Sequence, residues 1–208
     1  MTIAAVDFVP TELARGRGGG GPAPTRTVVA YGFWIFLLSD FVLFSGLFAA
    51  YAVLSDNTAG GPTGAELFNL RSVFIETMCL LFSSYACGLG ALSAERRRLG
   101  HFYISAVFTF GLGAAFLCIE ISEFAGMVSK GDGPSRSAFL SAFFTLVGTH
   151  GAHVTAGLIW FIYMVAQVAA KGFRPHVLRR HLCFSLFWHA LDIVWVGVFT
   201  LVYLMGAR

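Results

Sequence analysis

The sequence predicts an all-α integral membrane protein, built as a bundle of five transmembrane helices. Of its 208 residues, 57% are hydrophobic and 12% are charged, which is about half the charged share of an ordinary soluble domain. Five apolar segments each reach the roughly 20 residues needed to cross about 30 Å of hydrocarbon. All six prolines lie outside these segments, as unbroken helices require.

The predicted spans are separated by short connections, so consecutive helices should be antiparallel neighbours. The fourth span, at about 32 residues, must tilt or extend beyond the bilayer. A basic, Gly/Pro-rich tail precedes them over residues 1–27 and is expected to be flexible, which leaves residues 28–208 as the five-helix domain. The four cysteines fall within the spans, and we expect no disulfides. The spans cover residues 28–54, 70–92, 102–125, 138–169 and 182–205.

The distribution of basic residues predicts the orientation of the bundle. Ten of the 14 lysines and arginines lie in the tail, the second loop (Arg96–Arg98) and the fourth loop. Cytoplasmic loops carry such an excess, so we expect a cytoplasmic N-terminus and a periplasmic C-terminus. The net charge of +3 is too small to suggest a nucleic-acid partner.

Eight ionisable side chains lie at membrane depth, whereas no lysine or arginine lies deep in a predicted span. Buried carboxylates without a counter-charge are costly in lipid. These acids must therefore be protonated, hydrogen-bonded, or paired with a cation from a partner or a lipid. The eight residues are Asp40, Glu76, Glu120, Glu123, His150, His153, His189 and Asp192.

Most of these residues are expected to act in interhelical packing. Glu76, Glu120, Glu123 and His150 fall in the outer half of the bundle, which suggests one polar network between the second, third and fourth helices. His189 and Asp192 lie three residues apart, and an aspartate beside a histidine commonly fixes the imidazole. For Asp40, near mid-membrane, local or partner hydrogen bonding is favoured over proton transfer.

His150 and His153 are also separated by a number of residues that is common between metal ligands. Residues three positions apart lie on the same face of any helix, however, so this spacing is weak evidence for a metal site. His189 lies roughly 10 Å from the cytoplasmic end of its predicted helix, and His153 roughly 24 Å from the same side. Ligands of one metal lie near 2 Å from it, so a shared metal site is disfavoured.

Small residues in the fourth span predict close helix packing. Gly148, Ala152 and Ala156 repeat every four residues, and such a stripe allows a second helix to approach closely in a membrane. Gly157 lies on the face shared by His150 and His153.

Four segments of the sequence are distinctive when taken together. They are the motifs HGxHVxxG (150–157) and WHxxDxVW (188–195), the segment GFWIFLLSDFVLF (32–44) and the loop TAGGPTG (58–64). These segments resemble subunit III of haem–copper terminal oxidases, most closely the cytochrome o (bo-type) ubiquinol oxidase branch, which has five spans. The similarity covers residues 28–208.

The resemblance implies a non-catalytic subunit in a bacterial plasma membrane. Haem b, haem o and copper would reside in the catalytic subunit I, with subunits II and IV in the same complex. That complex would oxidise ubiquinol, reduce oxygen and pump protons. Subunit III would stabilise subunit I and bind phospholipids in a cleft. Asp40 stands where the mitochondrial-type proteins carry a carbodiimide-reactive glutamate, which puts that reactivity in doubt here.

Three alternatives stay open at this point. The chain could be subunit III of a cytochrome c oxidase. It could also be a membrane metalloenzyme that uses His150 and His153. A proton or small-solute transporter that uses Asp40 and the glutamates is the third alternative.

Overall fold

The computed structural model describes residues 23–206, and within that range the chain is helical with no β-strand. Most of the predicted tail and Arg208 lie outside the described residues. The helices are α1 (Thr25–Leu54), α2 (Gly64–Leu67), α3 (Leu70–Glu95), α4 (Leu99–Ser129), α5 (Ala138–Lys171), α6 (Pro175–Val198) and a π-helical segment (Phe199–Leu204).

Five of these helices are long and apolar enough to cross a membrane, which confirms the predicted five-span architecture. The largest difference lies in α6, which begins at Pro175 and not near residue 182. Proline is tolerated in the first helical turn because its missing N–H has no intrahelical partner there. The basic residues that suggested a loop therefore extend the helix beyond its apolar part.

Helix α6 lies at the centre of the bundle and packs against α1, α3 and α5. Helix α4 packs against α3 and α5 on the far side. Helix α1 is peripheral: its buried residues are Leu37, Phe44 and Tyr51, spaced by seven. That spacing produces a single narrow seam along a helix.

The Trp188 indole of α6 fills a slot between α4 and α5. A Cβ atom built on Gly113 of α4, or on Gly157 of α5, would lie 2.9 Å from the indole ring. The indole nitrogen donates to the Ser83 hydroxyl of α3 at 3.1 Å, and that hydroxyl donates to the Thr109 carbonyl of α4 at 2.8 Å. One side chain thus joins four helices.

The short helix α2, which the sequence did not predict, closes one end of the bundle. Phe68, directly after it, is buried and lies 4.8 Å from the Tyr203 ring, centroid to centroid. A Cβ atom on Gly64 would lie 2.5 Å from the Gly206 carbonyl oxygen, so glycine permits this close approach. At the other end, Arg26 forms an ion pair with Glu95.

Candidate functional site

His150 lies in an aromatic enclosure at the centre of the bundle. Its side chain is fully buried, and neither ring nitrogen has a hydrogen-bond partner. The ring centroid lies 5.1 Å from that of Trp195, 5.8 Å from Phe116 and 6.3 Å from Phe44. This enclosure fixes the imidazole by packing.

His153 is oriented by its own helix. Its Nδ1 atom donates to the Thr149 carbonyl at 2.8 Å, and because a carbonyl can only accept, Nδ1 carries the hydrogen. The Phe44 ring lies against both histidines, 5.3 Å from His153 between ring centroids. The two imidazoles thus pack on one phenylalanine of α1.

Glu76 lies on α3, and Glu120 and Glu123 lie on α4, which packs against α3. Glu76 and Glu120 are buried, and Glu123 is half-buried. The direct hydrogen-bonded network that the sequence suggested does not form, because all four carboxyl oxygens of Glu76 and Glu120, like both nitrogens of His150, have no partner. The physical reason is that the neighbours of His150 are aromatic rings, while Glu120 lies against Gly151 of α5.

The expected orientation of His189 by Asp192 is wrong. His189 donates from Nδ1 to the Ser185 carbonyl of its own helix at 2.6 Å. The Oδ1 atom of Asp192 and the Ser84 hydroxyl are both buried without a hydrogen-bond partner. A backbone carbonyl four residues earlier lies within reach of the imidazole, so His189 needs no carboxylate to fix it.

Asp40 is half-buried at the α1–α6 seam. It borders a narrow cleft with Phe41 and Phe44 of α1 and with Ala190 and Val194 of α6. No ion pair to Asp40 forms within the described part of the chain.

The small-residue stripe does not form a close contact between helices of this chain. Ala152 and Ala156 are exposed, and Gly148 has only an ordinary van der Waals distance to Phe124. The tight contacts of α5 are made by Gly151, next to Glu120, and by Gly157, next to Trp188. The spacing of small residues indicates a possible packing face, but contact at that face also requires bulky side chains opposite it. Those side chains lie on other helices, so the sequence of α5 alone does not show which face is in contact.

Among residues 23–206, no three side chains of His, Cys, Asp or Glu come together in a way that could hold a metal ion. Because α6 begins earlier than predicted, His189 lies roughly 21 Å from the start of its helix. The difference in membrane depth between His189 and His153 is therefore smaller than predicted. The two nevertheless lie apart, because His153 faces Phe44 of α1 and His189 faces Gly88 of α3.

Comparison with known proteins identifies the family. The sequence profile described as Cytochrome c oxidase subunit III matches residues 18–207. The chain belongs to this subunit III family. Each member of this family is one subunit of a multi-subunit oxidase complex. The five candidate spans, together with the bacterial relatives, make this chain a multi-pass protein of the plasma membrane.

Three relatives show the range of this subunit III family. The chain is 53% identical, over 85% of each chain, to cytochrome bo(3) ubiquinol oxidase subunit 3 of Pseudomonas aeruginosa. It is 46% identical to quinol oxidase subunit 3 of Bacillus spizizenii, over 84% of this chain and 86% of that one. It is 43% identical, over 84% of each chain, to cytochrome c oxidase subunit 3 of Bacillus sp. (strain PS3).

Sequence reasoning on the subunit III motifs missed the residues that anchor the two tryptophans. Ser83 and Thr77 on α3 accept from the indole nitrogens of Trp188 and Trp195, each at 3.1 Å. Buried indole N–H groups usually find an acceptor, so two tryptophans seven residues apart could have signalled two hydroxyls on a facing helix.

Proposed function

We propose that this chain is the non-catalytic subunit III of a proton-pumping ubiquinol oxidase of the bo type. The complex oxidises ubiquinol and reduces oxygen to water. Haem b, haem o and copper belong to the catalytic subunit I, which this chain contacts directly, and subunits II and IV complete the assembly. The chain also binds phospholipid at its surface.

The ubiquinol branch rests chiefly on the 53% identity to the Pseudomonas aeruginosa subunit. That identity extends over 177 residues, which is 85% of both chains. The chain's five candidate spans agree with that branch.

The geometry favours a structural role for the buried polar residues of this chain. Two indole–hydroxyl bonds hold α6 to α3, and His150 is enclosed by three aromatic rings. Such contacts give the bundle one packed arrangement and leave no room for a substrate at His150. A rigid bundle of this kind can brace a larger catalytic subunit.

The proposed orientation places the N-terminus in the cytoplasm and the C-terminus in the periplasm. The arginine-rich loop at 96–98 and the basic first turns of α6 then face the cytoplasm, as the excess of Lys and Arg predicts. The loop between α1 and α2 (residues 55–63), α2 itself and the end of the π-helical segment then face the periplasm.

The electron donor tests the branch. The tagged chain would be purified with its partners from its native membrane, and oxygen consumption would be measured with ubiquinol-1 and, separately, with reduced cytochrome c. We expect rapid oxygen uptake with the quinol and none above background with cytochrome c.

A cytochrome c oxidase subunit III is the second candidate, because a relative of that name is 43% identical to this chain over 175 residues. Oxygen uptake driven by cytochrome c and not by ubiquinol would establish this candidate and overturn the first. The subunit III assignment itself would stand in either case.

A further inference from the structure

A cavity of about 210 Å³ lies at the end of the bundle opposite α2. Its lining comes from Arg26, from residues between 91 and 95 and from residues between 175 and 182, so it lies where α1 and α6 begin and α3 ends. The cavity is separate from the buried histidines and glutamates described above, since none of them lines it.

Three of the residues that line this cavity are apolar and only half-buried. They are Ala91 of α3 and Leu178 and Leu182 of α6. An apolar cavity of about 150 Å³ accepts a benzene ring, so this cavity, at about 210 Å³, has room for one phenyl side chain. The helices of the bundle therefore leave an apolar surface here that a single aromatic ring can cover.

The rim of the cavity is basic. Arg26 and Arg179 line it together with Glu95, and Arg26 is paired with Glu95. Arg179 forms no ion pair within residues 23–206. An arginine without a counter-ion favours a ligand that presents a carboxylate beside its apolar group.

The N-terminal segment of this chain carries that combination of groups. Phe8 is the one aromatic residue among the first 24 residues of the sequence, and Asp7 lies beside it. Residues 1–14 contain two acids, Asp7 and Glu12, and no lysine or arginine. This segment thus complements the rim in charge and the apolar lining in polarity.

The length of chain that precedes the described structure is sufficient for this contact. The described structure begins at residue 23, and Arg26 itself lines the cavity. Phe8 precedes Arg26 by 18 positions, which include four consecutive glycines at 18–21. A Gly-rich chain of that length spans about 23 Å on average, and a short flexible tether gives an effective concentration in the millimolar range.

We propose that the segment Val6–Val9 of this chain docks in the cavity, with the Phe8 ring against Leu178 and the Asp7 carboxylate paired with Arg179. Docking ties the start of α1 to the start of α6 and covers the apolar surface between them. The subunit III profile begins at residue 18, so this segment lies outside the family match. Failure of this proposal would therefore leave the oxidase assignment intact.

Photocrosslinking identifies what residue 8 contacts. The complex would be purified with its partners after Phe8→p-azidophenylalanine substitution, which keeps the ring and adds only an azide. After irradiation, the cross-linked peptides would be mapped by mass spectrometry. We expect the main cross-link to join residue 8 to residues 178–182 of the same chain. A main cross-link to a partner subunit or to lipid, or no cross-link at all, would overturn the proposal.

Charge exchange tests the pairing of Asp7 with Arg179. Asp7→Arg and Arg179→Asp should each lower the yield of this cross-link about three- to fivefold, the scale of an exposed ion pair. The double variant Asp7→Arg/Arg179→Asp should recover most of the yield, which a purely structural role of Arg179 would not produce. A double variant that melts like the wild type and recovers nothing would overturn the pairing.

Arg98→Asp is the matched control for the loss of a basic residue at this end of the bundle. Arg98 is exposed and lies outside the lining, and it occupies the N-cap position of α4, where aspartate is favoured. Its cross-link yield should equal that of the wild type. An equal loss of yield in Arg98→Asp and Arg179→Asp would show that general charge, and not this cavity, attracts the segment.

A further variant tests the location. Ala91→Phe places a ring from α3 in the cavity, because Ala91 lines it and is only half-buried. We expect the cross-link from residue 8 to residues 178–182 to disappear, with helical content unchanged by circular dichroism. Undiminished cross-linking in Ala91→Phe would overturn the cavity as the docking site.

Discussion

The Trp195 indole of α6 donates a hydrogen bond to the Thr77 hydroxyl of α3 at 3.1 Å. Thr77 in turn donates to the Val73 carbonyl at 2.8 Å, so its hydroxyl both accepts and donates. The same indole packs at a tilt against His150, 5.1 Å away, and lies 4.6 Å from the Phe116 ring, both centroid to centroid. The WHxxDxVW motif therefore serves to hold α6 against α3 more than to supply ligands for a metal.

Loss of the Thr77 hydroxyl should destabilise the bundle. Thr77→Val keeps the shape but leaves the buried Trp195 N–H unpaired, at a cost of about 1–3 kcal/mol. The thermal midpoint of the purified complex should fall by a few degrees. Thr200→Val is the control, because Thr200 is exposed and bonds only to its own helix. Equal midpoints for the two variants would mean that the indole bond carries little stability.

Two glycines on α4, two residues apart, should respond in opposite ways to the same change. Gly113→Ala would push the Trp188 indole out of its slot, and overpacking of this kind typically costs about 1–3 kcal/mol. Gly111 has open space around a built Cβ, so Gly111→Ala should be neutral or slightly stabilising through helix propensity. Thermal melts followed by circular dichroism, with tryptophan fluorescence to report on Trp188, distinguish them. A tolerated Gly113→Ala would contradict the slot.

The small-residue stripe leads to a prediction opposite to the one that the sequence suggests. Because Ala152 is exposed, Ala152→Leu should leave the melting of the isolated chain within about 0.5 kcal/mol of wild type, as is usual for surface positions. Gly157→Leu should disrupt it, since Trp188 occupies that space. If Ala152→Leu lowers the yield of the assembled complex but not the stability of the isolated chain, this face meets a partner subunit. A marked loss in the isolated chain would show that the face is internal.

The bundle should tolerate loss of the Glu120 charge but not an added side-chain atom next to Glu120. Its carboxyl oxygens are buried and unpartnered, so Glu120→Gln removes a potential buried charge at similar volume and should change stability by less than about 1 kcal/mol. Gly151→Ala would place a Cβ atom 2.8 Å from Glu120 Oε1 and should be clearly destabilising. Urea or thermal unfolding of both variants gives the comparison. A large loss in Glu120→Gln would indicate that the ionised form is paired in the assembled protein.

The proposed orientation can be tested by cysteine labelling. In a background with Cys79, Cys87, Cys118 and Cys183 replaced by alanine, Ser135→Cys should react with a membrane-impermeant maleimide applied to spheroplasts, since residue 135 lies in the loop between α4 and α5. Gly100→Cys, at an exposed position with open space, should react only after permeabilisation. The reverse pattern would invert the proposed topology.

The sequence was sufficient for features carried by local patterns. Long apolar runs located all five spans, because hydropathy along a helix is a local property of the sequence. The start of α6 was missed because basic residues around Arg179 and Arg180 are as compatible with a helix that leaves the bilayer as with a loop.

The features that could not be predicted depend on contacts distant in sequence. Trp188 and Ser83 are separated by 105 positions, and nothing near either residue identifies the other. Likewise, Phe68 is buried because Phe139, Phe143 and Tyr203 meet there, which converts a turn-rich loop into a cap with its own short helix. The bond from His189 to the Ser185 carbonyl likewise competes with Asp192 in a way that the spacing of the two residues does not show.

The most direct test of the central claim is a reduced-minus-oxidised spectrum of the tagged chain, recorded once as purified with its partners from its native membrane and once as the isolated chain. We expect haem bands and a large oxidase subunit, identified by mass spectrometry, in the complex, and a colourless isolated chain without bound copper. An isolated chain that retains a chromophore or a stoichiometric metal, or one that purifies from its native membrane without an oxidase partner, would contradict the role of a non-catalytic oxidase subunit.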